Sequence, residues 1–271
     1  MRRLTSMLLI LTALGCATDP ATSDAGRDAR VSADAGSVDA GSVDAGTSCA
    51  AVEPSVVTLT TDDGVALEAD YYASGVDDGA GVVLLHMIPP GNTRANYPRA
   101  FIDTLTGQCM SVLNVDRRGA GGSAGVAAEA YTGPNGVLDA RAAIAYLTAR
   151  SVAPARLAIV GASNGTTTLL DYVALSGGDA TLPTLAAAVL LSGGSYTENQ
   201  TTLTASGLSA IPSLFAYPVA EAAWNDTQGA MVNDLWSFRE YDPGSHGTRL
   251  FDSAPPSIEH VSAFLLAHTA E

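Results

Sequence analysis

The chain predicts an α/β protein, a mostly parallel doubly wound sheet with helices on both faces. Three observations carry that reading. Gly81-Val82-Val83-Leu84-Leu85-His86, Met110 to Val115 and Leu185 to Leu191 are short, nearly unbroken apolar runs. A strand with one face in water alternates apolar with polar, so unbroken runs mark strands covered on both sides. Segments of helical period lie between them. Gly136 to Ala149, for example, sets Val137, Ala140, Ile144 and Leu147 on one face. The two kinds of segment then alternate along the chain, as a parallel sheet with covering helices requires. In open sheets of this kind the active crevice lies at the carboxyl ends of the strands.

The elements follow in order. Ser55 to Thr60 and Ala66 to Tyr72 flank Asp62-Asp63-Gly64 and read as an antiparallel hairpin turning at Asp-Gly. The strand 81–86 is followed by a helix over Pro98 to Leu105. The strand 110–115 then runs into Asp116-Arg117-Arg118-Gly119. Beyond the helix 136–149 come a strand formed by the apolar run Leu157 to Val160 and a helix over Thr167 to Leu175. Strands follow at 185–191 and at Ile211 to Tyr217. A helix is expected over Asp226 to Leu235 and a short strand around Arg239 to Tyr241. The loop Gly244-Ser245-His246-Gly247 comes next, and a helix over Ser257 to His268 closes the chain.

One stretch carries chemistry. Leu157-Ala158-Ile159-Val160 runs into Gly161-Ala162-Ser163-Asn164-Gly165, and a helical segment follows at once. Strand, sharp turn and helix around Gly-x-Ser-x-Gly is the order of a nucleophile elbow, which presents a serine at the tip of a strained turn. The small residues at 161 and 165 let strand and helix approach closely. The helix that starts there aims free N–H groups and its positive end at the same spot, where they suit a developing oxyanion.

Composition bounds the rest. Of 271 residues 47% are hydrophobic and 15% charged, enough for a sizeable core. The formal net charge of −15 argues against a nucleic-acid partner, which needs a basic surface. Residues 1–16 read as an export signal. Arg2 and Arg3 precede an apolar run from Met7 to Leu14, too short to span a bilayer. The run closes on Thr12-Ala13-Leu14-Gly15-Cys16, which resembles a bacterial lipobox although Ala13 stands where leucine is favoured. That resemblance implies lipidation of Cys16 and an anchor in the outer membrane or at the cell surface. Ordinary cleavage nearby, for instance after Ala17, would instead give a secreted or periplasmic protein. Residues 17–48 repeat Asp-Ala-Gly and Ser-Val-Asp-Ala-Gly, cannot bury a core, and read as a disordered tether. The folded domain is expected over 49–271. With Cys16 lipidated, Cys49 and Cys109 remain, either paired in an oxidising compartment or as two separate thiols.

The motifs from Val56 to the C-terminus resemble the α/β-hydrolase family, in its dienelactone-hydrolase-like and small serine esterase branch. The likeness rests on Leu84-Leu85-His86 opening a loop, Asp116-Arg117-Arg118-Gly119-Ala120-Gly121-Gly122-Ser123, the elbow, and Gly244-Ser245-His246-Gly247, in that order. It implies Ser163 as nucleophile and His246 as general base, with the acid lying between them in sequence. The usual Gly-x-x-Asp around the acid is missing. Glu221 falls where the family's acid sits; Asp226, the alternative, would otherwise cap a helix. The oxyanion hole is implied at the N–H of Asn164 and of Ile88, or Met87, in a loop whose Pro89 and Pro90 have no N–H to give. His86 is expected to shape that loop. His260 and His268, on the closing helix, are expected to be structural or exposed. Arg117 and Arg118 are expected as ion-pair partners, the alternative being contacts with an acidic substrate.

The activity implied is hydrolysis of carboxylic esters through an acyl-enzyme, with no metal and no organic cofactor and a small ester as partner. The short stretch between Ser195 and Ile211 leaves no room for a large cap. A peptidase or amidase would use the same triad. A tethered binding protein that has lost its acid would keep the fold without the chemistry.

Overall fold

The computed structural model of the chain describes residues 49–50, 52–194, 201–229 and 233–270. The export signal, Cys16 and the 17–48 tether lie outside the described residues. Among the described residues no helix is long and apolar enough to cross a membrane.

The strands are β1 (Ser55–Thr60), β2 (Ala66–Tyr72), β3 (Gly79–Leu85), β4 (Ser111–Val115), β5 (Val152–Ala162), β6 (Ala187–Leu191), β7 (Ser213–Pro218) and β8 (Trp236–Tyr241). They form one sheet in the order β1-β2-β4-β3-β5-β6-β7-β8. The β1–β2 hairpin and the β2–β4 pair are antiparallel. Every other neighbouring pair is parallel. The helices are α1 (Arg99–Gly107), α2 (Gly136–Thr148), α3 (Gly165–Gly178), α4 (Ala222–Gly229), the single turn α5 (Leu250–Ser253) and α6 (Pro256–Thr269).

The period-two geometry of the strands divides the core into two layers. Val83, Leu85, Leu113, Ile159 and Leu190 face α2 and α3, meeting Ala140, Ile144, Leu147, Leu169 and Val173. Val82, Leu84, Val112, Val160 and Val189 face the other way onto Phe101, Leu105, Val261 and Leu265 of α1 and α6. The unbroken apolar runs follow from this, because both faces of the central strands are dry. The 192–212 connection between β6 and β7 is too short for a lid domain.

The helix expected over 226–235 starts earlier, at Ala222, and β8 already begins at Trp236. Pro218 ends β7 and a 3₁₀ turn at Val219–Glu221 feeds straight into Ala222-Ala223-Trp224. Asp226 is therefore an interior helical residue and not a cap. A cap-type residue misplaced the start, because alanines are good formers that need no cap to carry a helix off a preceding turn.

Cys49 is joined to Cys109 by a disulfide with a Cα–Cα distance of 5.1 Å, across a sequence separation of 60. It ties the start of the domain to the α1–β4 turn, beside a hydrogen bond from Cys49 N–H to Gly107 O. Constraining a loop of that length in the unfolded chain stabilises by about 4 kcal/mol on the chain-entropy account. Cys109→Ser should therefore lower the unfolding free energy by about that amount in urea titrations, with the folded far-UV spectrum retained. An unchanged midpoint would exclude the pairing.

Candidate active site

β5 ends at Ala162, Ser163 turns the chain with φ 51°, and α3 begins at Gly165. Left-handed backbone is costly for a side chain other than glycine, on the order of 1 kcal/mol. Hydrogen bonds hold it in place here. Ser163 N–H donates to Leu191 O at 2.8 Å, and Ser163 O accepts from the Thr166 N–H at 2.9 Å and the Thr166 hydroxyl at 2.6 Å. The two motif glycines are sterically required. A Cβ at Gly161 would lie 2.6 Å from Gly165 O, and one at Gly165 would lie 2.4 Å from Leu85 O.

The crossovers bring distant residues to this tip. The loop after β8 carries His246 to Ser163, with Nε2 2.7 Å from the hydroxyl oxygen. The turn after β7 carries Glu221 to the other side of the ring, with Oε1 2.6 Å from Nδ1. Ser163 is 6% exposed, while His246 and Glu221 are partly open to solvent. Burial pushes the Glu221 carboxyl up, but hydrogen bonds from His246 and Ser192 outweigh it and hold the group below the usual carboxylate range. An ionised Glu221 takes the Nδ1–H of a neutral His246 and leaves Nε2 bare to accept the Ser163 proton. Asp226 is exposed on α4 and does not reach the histidine among the described residues.

Ser192 is a residue the sequence reading did not single out. Wholly buried at the end of β6, it accepts the Gly247 N–H at 2.9 Å, and its hydroxyl helps to hold the Glu221 carboxyl down. One hydroxyl thus acts both on Glu221 and on the loop that carries His246. Nothing in Leu191-Ser192-Gly193 announces this, because it depends on β6 lying beside β7.

Asn164 follows Ser163 and is buried. Its backbone N–H, and those of Met87 and Ile88 across the crevice, donate to no backbone partner among the described residues. Met87 is buried against Gly247, whereas Ile88 is 44% exposed and its carbonyl accepts from the Asn92 side chain at 2.8 Å. The Tyr97 hydroxyl, buried behind the loop, lies 3.1 Å from Leu85 O and 3.0 Å from Val160 O, at the ends of β3 and β5.

His86 is fully buried and shapes this loop. Its Nε2 accepts the Arg117 N–H at 3.0 Å, which leaves the proton on Nδ1 to donate to Met87 O at 2.7 Å. Burial and the Arg117 guanidinium push it down to about 3, so it is neutral throughout the working range. Of the remaining histidines, His260 hydrogen-bonds Tyr241 at 3.1 Å, and His268 packs against Phe264 with the two rings tilted by 55°. Both lie on α6, away from the triad residues.

The two arginines differ. Arg118 forms ion pairs with Asp139 at 2.8 Å, with Asp63 at 2.8 Å and with Glu129 at 3.5 Å, and its Asp139 contact is wholly buried. Removing one member of a buried pair leaves an uncompensated charge, so Asp139→Ala should cost about 3 kcal/mol in a denaturant titration. Arg117 has no carboxylate within ion-pair reach among the described residues, contrary to the expectation from sequence. Burial excludes both from contact with a substrate.

The sheet order, the elbow on β5 and the loops after β7 and β8 define the α/β-hydrolase fold. No protein-family model matches the chain, and no curated protein matches it in sequence. Solved structures do. The Pyrococcus furiosus esterase Pf2001 superposes with a TM-score of 0.61 at 18% identity over 81% of this chain and 92% of its own. A Mycobacterium tuberculosis puromycin-hydrolyzing peptidase gives 0.62 at 19% identity, over 81% of this chain and 40% of its own. XC6422 from Xanthomonas campestris, an α/β serine hydrolase without a lid, gives 0.55 at 15% identity, over 81% and 95%. At these identities the likeness is one of fold.

Proposed function

We propose that the protein is a serine hydrolase of carboxylic esters. The observation that carries this reading is the unbroken line Ser163–His246–Glu221, with contacts of 2.7 and 2.6 Å. His246 Nε2 takes the hydroxyl proton as Ser163 Oγ bonds to the ester carbonyl carbon. The charge that develops on the carbonyl oxygen is met by the N–H of Asn164 and of Ile88 or Met87. The carbon–oxygen bond to the alcohol then breaks, and His246 returns the proton to the leaving alkoxide. Water, deprotonated by His246, adds to the acyl-enzyme, and Ser163 leaves with the proton. Glu221 remains ionised throughout and stabilises the imidazolium. The short β6–β7 connection supports small or surface-presented esters, because no lid domain encloses an acyl chain.

An activity probe tests this directly. The full-length chain should be labelled by a fluorophosphonate, and Ser163→Ala and His246→Ala should not. A folded wild type that stays unlabelled would favour the binding-protein reading. Parallel p-nitrophenyl ester and p-nitroanilide assays separate esterase from amidase, with turnover of the ester alone or in large excess expected.

The export signal, lipidation of Cys16 and the 17–48 tether belong to the same proposal, as the means of holding the domain off a membrane surface. Metabolic labelling with a palmitate analogue in a bacterial host should mark the wild type and not Cys16→Ser.

A further inference from the structure

Arg117 is a fully buried guanidinium with no acidic partner within ion-pair reach among the described residues, and it hydrogen-bonds the side chain of Asn164, the residue after Ser163. Burial pushes it down to about 10, which leaves it charged at neutral pH. A buried charge is normally paired, since taking it out of water is costly. Here carbonyl and side-chain dipoles replace the partner. Nη1 donates to Asn164 Oδ1 at 2.9 Å and to His86 O at 3.3 Å. Nη2 donates to Ala130 O at 2.6 Å and to Thr168 Oγ1 at 2.7 Å. The backbone N–H of the same residue fixes the His86 ring.

These contacts share a pattern. Asn164 and the His86–Ile88 loop are the two segments that supply the oxyanion N–H groups, and they come from different strands, β5 and β3. A single nitrogen, Nη1, holds the Asn164 side chain and the His86 carbonyl together. The second nitrogen anchors that unit to the first turns of α3 through Thr168 and to Ala130. The neutral His86 ring, fixed between Arg117 N–H and Met87 O, presses the loop into the same unit.

We infer that Arg117 is a positioning residue for the oxyanion hole, setting the spacing between the Asn164 N–H and the N–H of Met87 or Ile88 from behind. This rests on the ester-hydrolase reading above and adds to it a residue that does not touch substrate.

The test separates a hole-setting role from simple stabilisation of the fold. The full-length wild type, Arg117→Lys and Arg117→Met are assayed on a p-nitrophenyl ester and on its thiono analogue, in which sulfur replaces the carbonyl oxygen. Sulfur fits an oxyanion hole poorly, so a working hole shows as a large preference for the oxygen ester. That ratio does not depend on how much of a sample is folded. Arg117→Met is expected to lower kcat on the oxygen ester about 100-fold with KM within about twofold, because a displaced donor loses transition-state contacts only. The oxygen-to-sulfur preference should shrink by about tenfold or more. Arg117→Lys keeps the charge but cannot span Asn164 and His86 O together, and should lie between the other two. The pH profile of kcat/KM should keep its shape, since the His246–Glu221 contact is untouched. A wild-type preference in Arg117→Met, whatever the loss of soluble protein or of kcat, would overturn the inference. A wild type that labels with fluorophosphonate while that preference is unaltered sinks the Arg117 role alone. A wild type that neither labels nor turns over removes the hydrolase reading and this inference with it.

Discussion

Ser163→Ala and His246→Ala are each expected to lower kcat on an activated ester by on the order of a million-fold, and the double variant by little more. The size follows from the geometry. With Nε2 2.7 Å from the hydroxyl, base and nucleophile act as one unit, and either half alone transfers no proton to make an alkoxide. On the proposed mechanism the residual rate comes from the donors at Asn164 and Met87 or Ile88, which neither substitution removes. Neither variant should be less stable by more than about 1 kcal/mol. Ser163→Gly should be no less stable than Ser163→Ala, since glycine relieves the left-handed backbone at φ 51°. Steady-state kinetics beside urea titrations checks both halves. A Ser163→Ala protein with more than about a thousandth of wild-type kcat would move the nucleophile elsewhere.

The second large effect is at the acid. Glu221→Gln is expected to lower kcat about ten-thousand-fold with KM little changed, while Asp226→Asn stays within about twofold of wild type. An amide facing Nδ1 offers either a carbonyl oxygen without charge or an N–H that selects the wrong tautomer, so Nε2 is no longer a ready base. The 2.6 Å contact to Glu221 and the exposed position of Asp226 make the contrast sharp. The substitution also has a signature in stability. The folded Glu221 carboxyl is held below its ordinary value, so the stability it contributes is present above that ordinary carboxylate range. It is lost as pH falls through the depressed folded value. Glu221→Gln should therefore flatten the acid limb of the wild-type stability profile below the usual carboxylate pKa. Equal activity of Glu221→Gln and wild type would place the orienting acid on another residue.

Much of this was legible in the linear chain, and the reason is locality. The unbroken run 81–86 and the helical period of 136–149 report burial that each segment meets wherever it packs. The order of strands and helices then leaves few topologies. Gly161-x-Ser163-x-Gly165 is legible because its constraint is steric and lies within five residues of backbone. The hairpin at Asp62-Asp63-Gly64 is legible for the same reason. The start of α4 was misread because Asp226 has the chemistry of a cap, and a cap signal is weak where a turn already delivers the chain into alanines.

What lies beyond five or ten residues was not decided by the sequence alone. Distance from the end of the strand favours Glu221 over Asp226 as partner of His246, but no local motif fixes it. The choice was made by β7 and β8 lying in register, which sets the two loops side by side. Cys49 and Cys109 were equally open until the α1–β4 turn met the start of the domain. Ser192 and Arg117 each sit in an unremarkable stretch, and each acquires its role only from neighbours more than forty residues away in the chain, such as Gly247 and Asn164. The chain by itself determined the class of fold, the elbow and the residue types needed for acyl transfer, because periodicity and turn sterics are properties of short segments. Which side chains meet across the carboxyl edge of the sheet is a property of strand order and register, and only the tertiary structure decided it.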